Sequence, residues 1–495
     1  ERLNFTMRAS GILMPIFSLP SDYGIGTMGK AAYEFIDFLK NSGQKYWQLL
    51  PIGPTSYGDS PYQSFSSFAG NPYFIDFDLL AEDDLLEKSD YENIDFGDND
   101  EKVDYEKIFN ERFKVLKKAF KNGFERDKSL YLDFIKENPK IEDYAFYMAV
   151  KNHFDLKAWQ EWDDDIKFRK KTAVKKYREL LSEEIDFWGY VQFLFFKQWK
   201  KMKSYAKKNG VKLIGDIPIY VASDSADTWA NPEIFQFDKS LLPTNVAGCP
   251  PDCFSEDGQL WGNPLYRWDV LEEQNFSWWM ERIRATSKLF DVIRIDHFRG
   301  FESYYSIPYG NENARIGEWV KGPDMKFIKA VKQNFKKTGI IAEDLGFLTP
   351  EVEKMLKSSG YPGMKILEFA FDHKSDSNYL PHNYPKNCVV YTGTHDNETV
   401  VGWLSNLPKK DKAFLKKYTN VRSEKMLPKA LIRLAWSSTA DLAVAQMQDF
   451  LELDNTARMN EPSTLGKNWQ WRMKKGALTE KLSKEIKSLT VTYRR

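Results

Sequence analysis

The stretch "DVIRIDHFRGF" (residues 291–301) sets Arg294 and Asp296 two positions apart at the end of an apolar run. Side chains of a strand alternate faces, so the two point the same way, while Val292, Ile293 and Ile295 supply the burial a strand needs. Three other apolar runs end in ionisable groups: Asp216 closes "KLIGDIP", Glu343 and Asp344 close "GIIAEDL", and His395 with Asp396 follow "CVVYTG". Taken singly, each reads equally well as a structural ion pair or a helix N-cap. Taken together, they put carboxyls on one apolar rim, where desolvation and like charge push at least one proton affinity upward. Cleavage of a glycosidic bond with retention uses such a set. One ionised carboxylate attacks the sugar carbon, and a protonated carboxyl roughly 5 Å away protonates the departing oxygen. Arg294, on the same face as Asp296, is expected to hold that Asp ionised, which makes Asp296 the nucleophile and leaves Glu343 the acid/base with a raised pKa.

Side chains at four strand ends meet only if the strands share a rim. Eight short runs rich in Ile, Leu, Val and aromatics punctuate the chain, at 11–17, 45–51, 212–218, 291–296, 339–345, 364–371, 388–393 and 442–447, each closed by Pro, Gly or a polar cluster. Helix-period segments such as "GKAAYEFIDFLKNSG" (29–43) and "DMKFIKAVKQNFKKTG" (324–339) lie between most of them, each with a Gly just past the pattern as a C-cap signal. Strand–helix alternation repeated eight times predicts an α/β fold, a (β/α)8 TIM barrel, whose active sites gather at the C-terminal ends of the strands. Two intervals exceed a simple crossover. Residues 78–205 carry Lys/Glu-rich amphipathic patterns and predict a mainly helical insertion whose last helix rejoins the barrel. Residues 219–275, richer in Pro, Asp and aromatics, predict a loop-rich insertion over the barrel mouth. The expected organisation is a single catalytic barrel over 1–495.

Bulk composition narrows the partners. Lys plus Arg and Asp plus Glu both number 71, so the charge balance gives no footprint for nucleic acid or an anionic membrane, and small neutral partners fit better. Cys249, Cys253 and Cys388 make no even disulfide framework, and the Cys249–Cys253 spacing lacks a second ligand pair for zinc. The thiols are expected free, in a reducing cytoplasm. The start, "ERLNFTMRASGILMPIF", has no signal-peptide layout, and no stretch reaches the roughly 18 apolar residues of a membrane span. Because the chain begins at Glu1, a trimmed targeting segment stays compatible with it. Of five histidines only His297 and His395 adjoin the strand-end acids, which argues against a metal-dependent hydrolase, and no metal or cofactor is expected.

Around the rim, "GPTSYGDSPYQSFSSFAGNPY" (53–73) offers hydroxyls, Gly and aromatics, a poor core but a good surface for sugar rings and hydroxyls. "CPPDCFSEDGQLWGNP" (249–264) adds Trp261 as a stacking platform and Asp252, Glu256 and Asp257 as hydrogen-bonding groups. "GKNWQWRM" (466–473) adds Asn468 and more aromatics. With "SGILMPIFSLPSDYGIGTMG", "GDIPIYVASDSADTWANPEIF", "RIDHFRGFESYYSIP", "IAEDLG", "LPHNYP", "YTGTHDNET" and "ARMNEPST...NW", these motifs resemble, nearly end to end, the 4-α-glucanotransferases called amylomaltases or disproportionating enzymes, within the α-amylase clan.

The resemblance implies Asp296 as nucleophile, Glu343 as acid/base, and Asp396 as a third carboxylate that binds sugar hydroxyls and distorts the donor ring. It implies that Tyr62 stacks on the donor ring and that Ser60, Asp216, Arg294, His395, Trp261 and Asn468 line donor and acceptor positions. Cys253 stands where the family suggests an aromatic. It also implies maltooligosaccharides, starch or glycogen-type α-glucans as substrates and glucose as an acceptor. The family lacks the β-sandwich domain that follows the barrel in amylases, and the eighth run ends at Met447, about 48 residues before the last residue given, so no C-terminal β-sandwich is expected. The alternatives are a maltooligosaccharide-hydrolysing α-glucosidase or amylase-type enzyme with the same carboxylates, and a carbohydrate-binding protein, which would not need both Asp296 and Glu343.

Overall fold

The computed structural model describes residues 8–56, 58–251, 255–346 and 348–495; Asp252 and Cys253 lie outside the described residues. All eight apolar runs form strands: β1 (Ala9–Leu13), β2 (Tyr46–Gln48), β3 (Lys212–Ile217), β4 (Val292–Ile295), β5 (Gly339–Ala342), β6 (Gly363–Ile366), β7 (Cys388–Tyr391) and β8 (Leu442–Gln446). They pair in parallel in the order β6-β7-β8-β1-β2-β3-β4-β5. The two ends of this order close on each other without a ladder. The Ala342 N–H donates to the Pro362 carbonyl at 2.9 Å, and the Asp344 carboxylate accepts the Met364 N–H at 2.7 Å. The sheet is a (β/α)8 barrel in which a side chain completes the last seam. Gly363 is required there, because a Cβ on it would sit 2.4 Å from the Asp344 carboxylate.

Strands 3–6 residues long buried on both faces explain why the runs read as continuous rather than alternating. The two helix signals part company at their glycines. Gly43 follows the helix Lys30–Asn41 in the left-handed region (φ 78°), as a C-cap glycine does, whereas the helix Met325–Asn334 ends earlier and Gly339 opens β5.

Helices Tyr105–Glu137, Pro139–His153, Lys171–Leu180 and Ser182–Lys208 fill the first long interval, and the last feeds β3. This last helix also fixes the loop that follows β2. Gln192 exchanges hydrogen bonds with both the N–H and the carbonyl of Gly70 (2.7 and 2.8 Å), and Gln198 does the same for Asp76 (2.8 and 3.0 Å). Phe195 packs where a Cβ on Gly70 would lie, at 2.1 Å, so the approach is close enough to demand glycine. The second long interval is more ordered than expected. Its strands Asn245–Cys249 and Gln259–Pro264 join Ser303–Pro308 and Glu318–Lys321 in an antiparallel sheet, ordered 259–264, 245–249, 303–308, 318–321. Half of that sheet comes from beyond residue 275, after β4. Among the described residues no helix is long and apolar enough to cross a membrane.

Asp344→Ala leaves the Met364 N–H buried without an acceptor at the barrel seam. The expected cost is about 1–3 kcal/mol in equilibrium denaturant unfolding, with Asp344→Asn, which keeps an acceptor oxygen, costing less.

Candidate active site

At the C-terminal rim of the barrel, β3 and β4 run in register with Asp216 directly beside Arg294. Arg294 Nη1 donates to both oxygens of Asp216 (2.8 and 2.7 Å), and Nη2 donates to Asp296 Oδ1 at 3.0 Å. The side chains of Arg294 and Asp216 are 4% and 1% exposed, against 28% for Asp296. Arg294 is therefore shared, and its closer pairing is to the cross-strand Asp216 rather than to Asp296. Burial alone would lower the guanidinium's pKa, but Asp216 and then Asp296 hold it above its usual value, so it stays charged. Arg294 pulls Asp296 toward the ionised form, as expected from the shared strand face, but other influences oppose it. Burial raises Asp296 to about 8 against the pull of Arg294, and the neighbouring Asp216, Glu343 and Asp396 push the same way.

Glu343 follows β5 and is 8% exposed. Its Oε2 accepts the His297 N–H at 2.6 Å and its Oε1 the Leu345 N–H at 2.6 Å. Burial raises its pKa too; Arg294 and the two N–H donors act in the opposite direction. His297 delivers its N–H from a left-handed conformation (φ 52°, ψ 48°), uncommon for a residue with a Cβ. Its imidazole is pushed down to about 3, first by burial and then by Arg299, and so is neutral. Asp344, adjacent in sequence, accepts its hydrogen bond at the barrel seam instead and reaches this cluster only through its charge, which also raises Glu343.

On the opposite side Tyr62 donates its hydroxyl to Asp216 Oδ2 at 2.6 Å and stacks on His395 with ring centroids 5.0 Å apart and planes at 17°. Trp469 packs against both rings at 5.9 Å. His395, its pKa lowered chiefly by burial, has Nε2 3.4 Å from Asp396 Oδ2. Asn460 donates to Asp396 Oδ1 at 2.6 Å, and Arg458 Nη2 donates to the Asp396 carbonyl at 2.8 Å. Sequence reasoning did not single out Arg458, Asn460, Trp469 or the His297 N–H as site groups. The signal for the first three was the motif "ARMNEPST...NW", read only as a family mark.

The remaining expected residues divide. Trp261 lies on the mouth strand Gln259–Pro264 and meets His297 edge-to-face at 4.8 Å and 88°, which ties it to the rim. Ser60 shapes the Tyr62 turn, its Oγ accepting the Tyr62 N–H at 3.2 Å. Asn468 is turned to its own loop: its amide bonds Glu461 and Thr464 and its oxygen accepts the Glu461 N–H at 2.9 Å. It builds the loop 461–468, and no bond joins it to the carboxylate cluster. Asp257 pairs with Arg315 at 2.6 Å on the mouth sheet. Among the described residues one His/acid group is close enough to share a metal ion, Asp372, His373 and Asp411; it includes none of the strand-end acids of the rim.

The comparisons with known proteins point one way. A family model described as 4-alpha-glucanotransferase matches residues 14–479. The 4-alpha-glucanotransferase of Clostridium butyricum is 52% identical over 485 residues, covering 97% of this chain and 100% of the relative, and that of Thermus thermophilus is 44% identical over 494 residues, covering 97% and 98%. The solved amylomaltase of Streptococcus agalactiae in complex with acarbose superposes with a TM-score of 0.97 at 44% identity, covering 99% of both chains.

Arg294→Met removes one cation from between the buried Asp216 and the partly buried Asp296. Its expected effect is a loss of about 3–5 kcal/mol in unfolding free energy, larger than that of Arg294→Lys, which keeps a charge but loses the forked geometry; urea unfolding of the two variants checks both.

Proposed function

The chain belongs to the 4-alpha-glucanotransferase family, and from that membership we infer how its rim moves α-1,4-glucan segments from a donor maltooligosaccharide or starch-type glucan to the 4-hydroxyl of an acceptor glucan or glucose. The observation that carries the mechanism is the shared cluster at the ends of β3, β4 and β5, where a partly buried Asp296 and a buried Glu343 lie beside one fixed cation.

We propose that Asp296 is the nucleophile and Glu343 the acid/base. Burial favours one proton held between the two acids, the state a retaining displacement needs. Glu343 gives its proton to the glycosidic oxygen while an Asp296 oxygen bonds to the sugar carbon, so the leaving chain departs as an alcohol and the donor segment stays as a glycosyl ester on Asp296. In the second half an acceptor 4-hydroxyl gives its proton to Glu343 as its oxygen displaces Asp296. Positive charge develops on the sugar ring in both steps, which favours the ionised form of Asp296 in the transition state beyond what Arg294 provides at rest. Each Glu343 oxygen accepts one backbone N–H, which orients the carboxyl and leaves a second lone-pair site on each oxygen for the proton.

Asp396, held by Asn460, is proposed to bind sugar hydroxyls, with Tyr62 and His395 against the donor ring and Ser60 and Asp216 shaping that pocket. Trp261, beside His297, is proposed as the acceptor platform: a sugar held there competes with water at far above bulk concentration. Asn468 acts through its loop. The whole chain is read as one catalytic unit, with 78–205 and 219–275 as insertions into it, working in the cytoplasm.

Incubation with pure maltotriose and no added cofactor is expected to yield glucose together with a ladder of glucans longer than the substrate. Glucose and maltose alone would mean that water wins at the intermediate and would replace this reading by the hydrolase. Asp296→Ala is expected to lose transfer by at least about a thousand-fold, and substantial residual transfer would remove Asp296 from the nucleophile role.

A further inference from the structure

One buried acid at the rim has no part in the cluster described above. Glu368 follows β6 and continues its pairing with β7: its N–H donates to the Thr392 carbonyl at 3.3 Å. The residue is 8% exposed, its Oε1 is fully buried, and among the described residues no protein group hydrogen-bonds that oxygen. The carboxyl lies under Gly393, whose added Cβ would be 2.8 Å from Oε1 and 3.1 Å from Cδ, so the turn 393–397 that carries His395 and Asp396 rests on it. The charged groups facing it are Asp449 and Glu398, which repel a negative charge, and Arg458, which attracts one. The acids Asp216, Asp296, Glu343 and Asp396 are not among them.

The surroundings of Glu368 are already committed. Asp449 accepts the Thr392 hydroxyl at 2.7 Å and the Val400 N–H at 2.8 Å. Glu398 accepts the amides of Asn406 and Asn455, each at 2.6 Å. Arg458 spends Nε on the Asn460 carbonyl (2.9 Å) and Nη2 on the Asp396 carbonyl (2.8 Å), and Asn460 in turn holds the Asp396 carboxylate. A neutral Glu368 leaves these bonds alone. An ionised one is a further carboxylate beside Asp449 and Glu398, and among the described residues the cation facing it is Arg458.

We propose that Glu368 is a proton-controlled positioning residue: as the neutral acid it supports the 393–397 turn and leaves Arg458 to hold Asp396, and on ionisation it draws Arg458 away and loosens Asp396 from the sugar. Burial favours the neutral form first, and Asp449 and Glu398 reinforce it. The inference rests on the proposed role of Asp396 in binding sugar.

The sign of the linkage is fixed by that preference. A carboxyl whose folded pKa is raised contributes stability that is fully present below the ordinary carboxyl range and is lost as pH rises toward the folded value. Glu368→Gln keeps the shape and cannot ionise. The test measures KM for maltotriose against pH in the wild type, Glu368→Gln and Glu368→Met. Expected is a wild-type KM that climbs about five-fold more than that of either variant, one hydrogen bond's worth, as pH rises above the ordinary carboxyl range. Thermal melting should agree, with Glu368→Gln gaining on the wild type as pH rises. An equal climb of KM in all three proteins overturns the proposal, as does a climb confined to kcat. Asp396→Asn is the control for the underlying reading: if it leaves KM unchanged, Asp396 does not bind sugar, and that reading fails independently of Glu368.

Discussion

Arg294, a guanidinium buried between two carboxylates, is the interaction on which the rest of the rim depends. A charge so deep is tolerable only when paired, and a forked donor shared between Asp216 and Asp296 pairs it twice. The pairing is possible because β3 and β4 hold Asp216 and Arg294 in direct register, so a property of the barrel ladder becomes a property of the site. From Asp216 the constraint passes to the Tyr62 hydroxyl, and from Tyr62 by stacking to His395 on the far side of the barrel. Four strand ends are thus joined through one cation and one ring pair.

The same logic explains what the sequence revealed and what it hid. Apolar runs buried on both faces are visible in any reading, so all eight strands and the barrel were legible, and the acids at their ends came with them. A cross-strand partner is not visible in a strand read alone: Asp296, two positions away, looked like the natural mate of Arg294, yet it takes only Nη2, while Asp216, 78 positions earlier, takes Nη1 with both of its oxygens. Alternation hid a second distinction, since Glu343 and Asp344 are neighbours in sequence and face different jobs, one at the rim and one in the barrel seam.

The mouth sheet was missed for a related reason. Its strands are short, broken by glycine and proline, and exposed on alternating residues, as in "QLWGNP", so they lack the burial pattern that made the barrel strands conspicuous. They also gather from two separated intervals, before and after β4, and only the fold brings them together. Asn468 serves its own loop. Its residue type suits sugar recognition, yet a side chain with a carbonyl and an amide suits closing a tight loop equally well, and here the local backbone claims it.

Burial gives the rim its chemistry and sets its cost. Desolvation raises both Asp296 and Glu343 and so favours a retained proton between them. The clamps on the 69–76 segment by Gln192 and Gln198 serve the rim at a distance, since the backbone they hold is continuous with the loop bearing Tyr62. A rim built this way tolerates little charge beyond what the reaction uses. Every further acid in it must be hydrogen-bonded, as Asp449 and Asp396 are, or stay neutral, and that requirement bears on Glu368, whose buried Oε1 has no protein partner among the described residues.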